Sequence, residues 1–66
     1  MQLKSWIKAN KVSQTWAAKE LGMFNSDLSR ILSGDKKITL MQVSEVYDMT
    51  NGAVTYWDWI EFYGKK

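Results

Sequence analysis

Between Gln14 and Gly34 the chain has little choice of fold class. Two short apolar periods of helical type stand on either side of Gly22, too close together for anything but a tight turn between them. In the first, Gln14, Ala17, Ala18 and Leu21 share a face, and the two alanines let a neighbouring helix approach closely. In the second, Leu28, Ile31 and Leu32 recur at i, i+3, i+4 and point inward, leaving Ser26, Arg30 and Ser33 opposite and Asn25 at the exposed tip. Ser13 is placed to accept from a first-turn N–H of the earlier helix, Gly22 to supply the positive φ of the turn, and Gly34 to end the later helix. The stretch predicts helices over roughly 14–21 and 25–33.

The flanks extend this pattern. Leu3, Trp6 and Ile7 form an inward stripe for a first helix from Leu3 to Ala9. Asp35 to Ile38 reads as a loop with adjacent lysines. Thr39 and Gln42 then have the spacing of a capping box, so a fourth helix starts there, with Leu40, Val43, Val46 or Tyr47, and Thr50 on its apolar side and Asn51-Gly52 as its stop. Asn-Gly between apolar segments is also a hairpin signal, so residues 45–50 and 53–60 have paired strands as their alternative. Helical spacing fits somewhat better, with Val54, Trp57 and Ile60 on one line and Tyr56, Trp59 and Tyr63 on another. The expectation is all-α: a single domain of about five short helices, the last capped by Thr55. The alternative is α+β, with a C-terminal β-hairpin.

Sixty-six residues hold one small core and no separate catalytic domain. Cysteine and histidine are both absent, which removes disulfides, thiolate nucleophiles, zinc-finger ligand sets and imidazole bases. No two carboxylates have a spacing that indicates paired acid–base work, and no phosphate-cradling loop occurs, so no enzyme, cofactor, metal or small-molecule ligand is expected. No apolar run spans a bilayer, and the first residues lack the hydrophobic core of a signal peptide, so no membrane association and a cytoplasmic location are expected.

Charge is segregated along the chain. Through Lys37 there are seven basic residues against three acidic ones, hence +4; from Ile38 to Gly64 there are four acidic residues and no base, hence −4. That division suits one half that meets a polyanion and one that does not.

Gln14, Ala18, Leu21, Gly22, Leu28, Ser29, Ile31 and Gly34 together resemble, without a gap, the helix-turn-helix of the Cro and repressor proteins of lambdoid phages. Gln14-Thr15, Ala18 to Gly22, an aromatic at Phe24 and Lys36 to Leu40 look most like phage Cro. Thr50 to Thr55 followed by Asp58 is instead similar to the YdaS-like, Cro-related prophage proteins, which are helical there. The resemblance covers roughly residues 13–58. It implies that Asn25, Ser26, Ser29 and Arg30 reach base edges in the DNA major groove. It further implies that Gln14, Thr15, Lys36 and Lys37 contact phosphates.

The residue chemistry fits those roles. The planar fork of Arg30 suits guanine O6 and N7, a pairing worth about 1–3 kcal/mol of discrimination, and an Asn25 amide suits adenine N6 and N7. The structural alternative for Arg30 is a solvated helix-surface arginine, and for Asn25 the N-cap of its helix. Ser26 and Ser29 are small enough to let the helix sit deep. Asp27 is stabilised by the helix dipole but repelled by phosphates. Phe24 departs from the Tyr, Ser or Thr of the relatives. Trp16, at a usually polar exposed position, is open to packing, to flanking the DNA backbone or to meeting a partner. The C-terminal aromatics exceed what a small core absorbs, so Tyr56, Trp59, Phe62 and Tyr63 are expected at a homodimer interface, while Trp57 and Ile60 are at least as well placed over the core. The resulting expectation is a Cro-type repressor of a phage or prophage that binds a palindromic double-stranded DNA operator as a dimer. The alternative is a protein-interaction module, antitoxin-like or anti-repressor, that uses the aromatic C-terminal surface.

Overall fold

Local hydrogen-bonding signals set most of the helix boundaries in this chain. In the computed structural model, which describes residues 1–64, the order is α1 (Leu3–Ala9), α2 (Gln14–Glu20), α3 (Asn25–Ser33), α4 (Leu40–Met49) and α5 (Tyr56–Gly64), with no strand among the described residues. The Ser13 hydroxyl accepts from the Trp16 N–H at 2.9 Å and starts α2. Thr39 and Gln42 form both halves of the capping box at α4: Gln42 N–H donates to Thr39 Oγ1 at 3.1 Å and Thr39 N–H to Gln42 Oε1 at 3.0 Å. Gly34, at φ 88°, closes α3 in the left-handed conformation, which an L side chain there would strain.

The hairpin alternative for residues 45–60 is overturned. Asn51 and Gly52 both have positive φ, as a two-residue hairpin turn requires, but here they terminate a helix: the Gly52 N–H donates to the Tyr47 carbonyl at 2.8 Å. Buried Thr50 fixes the exit. Its hydroxyl donates to the Val46 carbonyl at 2.8 Å and accepts from the Val54 N–H at 3.1 Å, so Val54 is carried into the core.

The core is built from Leu3 of α1, Ala17, Ala18 and Leu21 around α2, Leu28 and Ile31 of α3, Val43 and Val46 of α4, Val54, and Trp59 of α5. Helices α2 and α3 pack directly on each other, as do α4 and α5. On α4 it is Val46, not Tyr47, that faces inward, and Leu40 is exposed rather than on the apolar side, because its position at the capped start carries it past the edge of the core. Trp6 stacks on Trp16 with centroids 6.5 Å apart and planes at 23°, so Trp16 packs across α1 while keeping an exposed edge. No helix among the described residues is long and apolar enough to cross a membrane.

The C-terminal aromatics are partitioned differently from expectation. Trp59 is 4% exposed and belongs to the core, with Phe62 and Tyr63 half-buried against it at centroid distances of 5.8 and 6.2 Å. Of the four residues expected at a dimer interface, only Tyr56 is exposed; Trp57 and Ile60, for which a place over the core was at least as good a reading, are exposed as well. Thr55 and Asp58 start the helix: Asp58 N–H donates to Thr55 Oγ1 at 3.3 Å and Thr55 N–H to Asp58 Oδ2 at 2.7 Å. The packing of α5 on α4 then buries Trp59 and leaves Trp57 out.

Asp58 also accepts from the Thr55 hydroxyl and from the Met1 amino group, each at 3.0 Å. The Thr55 backbone N–H, followed by the Met1 ammonium and the Thr55 hydroxyl, holds the carboxyl below its ordinary value against the desolvation that raises it. A carboxylate with a depressed folded pKa contributes stability at neutral pH that is lost as pH falls through that pKa. Thermal melts followed by circular dichroism are expected to show the midpoint declining as pH drops through and below 3.8. Asp58→Asn is expected to lower the neutral-pH midpoint and to flatten that decline.

Candidate nucleic-acid interface

Helix α3 has a buried back and an open front. Leu28 and Ile31 are fully buried, whereas Asn25, Ser26, Ser29 and Arg30 are exposed on the outer side. The four residues expected to read bases therefore occur on a single helix with its apolar face fixed to the core. No carboxylate pairs with Arg30 among the described residues, so its guanidinium is available to an external acceptor. The Arg30 carbonyl is held from the other end of the helix: the Asp35 and Lys36 N–H groups donate to it at 2.9 and 3.2 Å, and the Ser33 hydroxyl at 3.0 Å.

Asn25 is not the N-cap of α3. That position is Phe24, whose side chain gives no cap, and Asn25 is the first helical residue. Its Oδ1 accepts from Gln14 Nε2 at 2.9 Å, which joins the start of α2 to the start of α3. An amide oxygen has two lone pairs, so Oδ1 retains one for a base, and Nδ2 keeps both hydrogens. The bond fixes which way the amide points. Thr15 is exposed one residue further along α2.

The lysine loop is positioned by two contacts that sequence reasoning missed. Tyr63 of α5 accepts from the Ile38 N–H at 2.9 Å and donates to the Lys36 carbonyl at 3.0 Å, pinning the loop to the C-terminal helix. Lys36 Nζ lies 3.5 Å from Asp27 Oδ1. The Asp27 carboxylate on α3 thus has a cation beside it, and the Lys36 ammonium is drawn to α3. Lys37 is exposed. A tyrosine 25 residues from the amide it bonds leaves no local signal. Asp27 and Lys36 were each visible as charges, but nothing in their spacing paired them.

Phe24 is 78% exposed, more than any other large apolar side chain, and its ring contacts no other ring among the described residues. It occupies an extended N-cap conformation, φ −74° and ψ 148°, that a serine would fill with a bond to the first-turn N–H groups. Phe24→Ser is expected to raise stability by about 1 kcal/mol, read as a higher denaturant midpoint with unchanged slope.

Among the described residues no group of three or more histidine, cysteine, aspartate or glutamate side chains is placed to hold a metal ion. No family model, curated protein or solved structure matches the chain.

Proposed function

We propose that this protein is a sequence-specific double-stranded DNA-binding regulator of the Cro type, not an enzyme, that represses by occupying a palindromic operator as a homodimer. One observation carries the reading. The exposed side of α3 presents Asn25, Ser26, Ser29 and Arg30 on a helix whose other side is locked in the core, with Lys36 drawn beside it by Asp27. A helix of this kind supplies base-edge contacts, and the lysines with Gln14 and Thr15 supply salt-dependent phosphate contacts.

The dimer face is proposed anew from the exposed residues. Leu40, Tyr56 and Ile60 border one groove floored by Val43 and Trp59, and Trp57 lies edge-on to Tyr56 with centroids 6.0 Å apart. That much exposed apolar surface favours association over a monomer. Pairing across it gives two reading helices, and half-sites one DNA turn apart, about 34 Å, require two such helices.

Gel retardation on random duplexes across a salt series tests the reading. The expected result is retardation at low salt, a log–log decline of affinity with salt, and two chains per duplex on a selected palindrome. Absence of binding even at low salt would overturn it and favour the alternative in which the α4–α5 groove serves another protein.

A further inference from the structure

The geometry points to Phe24 as a reader of the C5-methyl group of a pyrimidine, placed next to the base edge met by Asn25; this rests on the DNA-binding reading above. Three observations on one residue carry it. Phe24 is 78% exposed and its ring pairs with no other ring among the described residues. It stands at the N-cap of α3, where its side chain gives the helix no cap. It directly precedes Asn25, whose amide is oriented by the 2.9 Å bond from Gln14.

A recognition helix reaches base edges with its N-terminal residues. A side chain at the N-cap of such a helix enters the groove together with the first reading residue. The groove floor there consists of hydrogen-bond donors and acceptors, none of which a phenyl ring satisfies, and one apolar feature, the methyl group at pyrimidine C5. A ring that covers a polar base edge would desolvate it without compensation, whereas a ring on a methyl group removes apolar surface of both from water. The chemistry therefore selects a 5-methylpyrimidine. Thymine carries that group, and so does 5-methylcytosine.

Duplexes selected by the full chain from a random pool supply the probe. Each thymine of the selected site is replaced singly by deoxyuridine, which removes the methyl and leaves the hydrogen-bonding edge intact. At the responsive position cytosine and 5-methylcytosine are also compared. Deoxyuridine is expected to weaken binding about fourfold at one position per half-site, the effect of one buried methyl. In Phe24→Ala thymine and deoxyuridine are expected to bind equally at that position. Met41→Ala, another exposed apolar truncation, is expected to leave the ratio as it is. A gain for 5-methylcytosine over cytosine assigns the contact to the methyl from either base, while a thymine response without that gain assigns it to thymine. No responsive position, or a response that survives Phe24→Ala, overturns the inference and leaves DNA binding standing. Failure to select any duplex removes the DNA-binding reading itself.

Discussion

Arg30→Ala is expected to relax base preference at one position in each half-site while leaving the fold intact. The side chain is exposed, has no carboxylate partner among the described residues and lies on the outer face of α3, so its loss opens no cavity and strands no buried charge. Exposed substitutions of this kind change stability by about 0.5 kcal/mol or less, and the melting curve should be that of the parent. On the proposed DNA-binding reading it removes a bidentate contact to guanine worth about 1–3 kcal/mol, equivalent to roughly 5- to 150-fold discrimination. In a dimer each duplex loses two such contacts. Lys37→Ala is the matched comparison, because a phosphate contact adds affinity without choosing sequence. It should weaken every duplex by a similar factor and reduce the steepness of the salt dependence by about one unit per chain. Selection from a random pool separates the two variants. An unaltered selected motif for Arg30→Ala would remove this residue from the reading set.

The parts of the fold that were legible in the sequence are those governed by physics within one helical turn. Ser13, the Thr39–Gln42 box and Thr55 start helices because a side-chain oxygen three residues from an N–H has only one place to bond. Gly34 ends α3 for an equally local reason. Asn51-Gly52 was ambiguous since two successive positive φ values serve a hairpin and a helix terminus alike, and Thr50, buried and bonded on both sides, is what decides between them.

The aromatic segment stays open in the sequence for a different reason. Trp57 and Trp59 have the same chemistry and stand two residues apart, so periodicity gives two apolar lines and only the packing of α5 against α4 selects one. The choice of Trp59 for the core leaves Trp57 out and draws Phe62 and Tyr63 inward with it. Within the candidate site the exposed polar face of α3 was visible as a pattern. The Gln14–Asn25 and Asp27–Lys36 pairs and the Tyr63 anchor were not, because each joins elements whose relative placement is a tertiary property.

The remaining large effect separates the scaffold from the exposed face of α3. Leu28→Ala is expected to cost about 2–5 kcal/mol, since Leu28 is fully buried between α3 and the rest of the core and alanine leaves a cavity that the neighbours refill only in part. A domain of 66 residues has roughly 3–10 kcal/mol of total stability, so this loss consumes much of it. The thermal midpoint should fall by about 8–40 °C at this chain length. The truncated side chain is on the buried side of α3, whereas Asn25 and Ser29 are exposed, and that placement gives the prediction its second half. In the cold, where enough of the variant is folded, the duplexes it selects should carry the parental motif, with apparent affinity lowered only by the unfolded fraction. Arg30→Ala should behave in the opposite way, with parental melting and an altered motif. If Leu28→Ala instead changes base preference at a temperature where it is folded, the orientation of the exposed face depends on the packing beneath it more closely than a rigid helix allows.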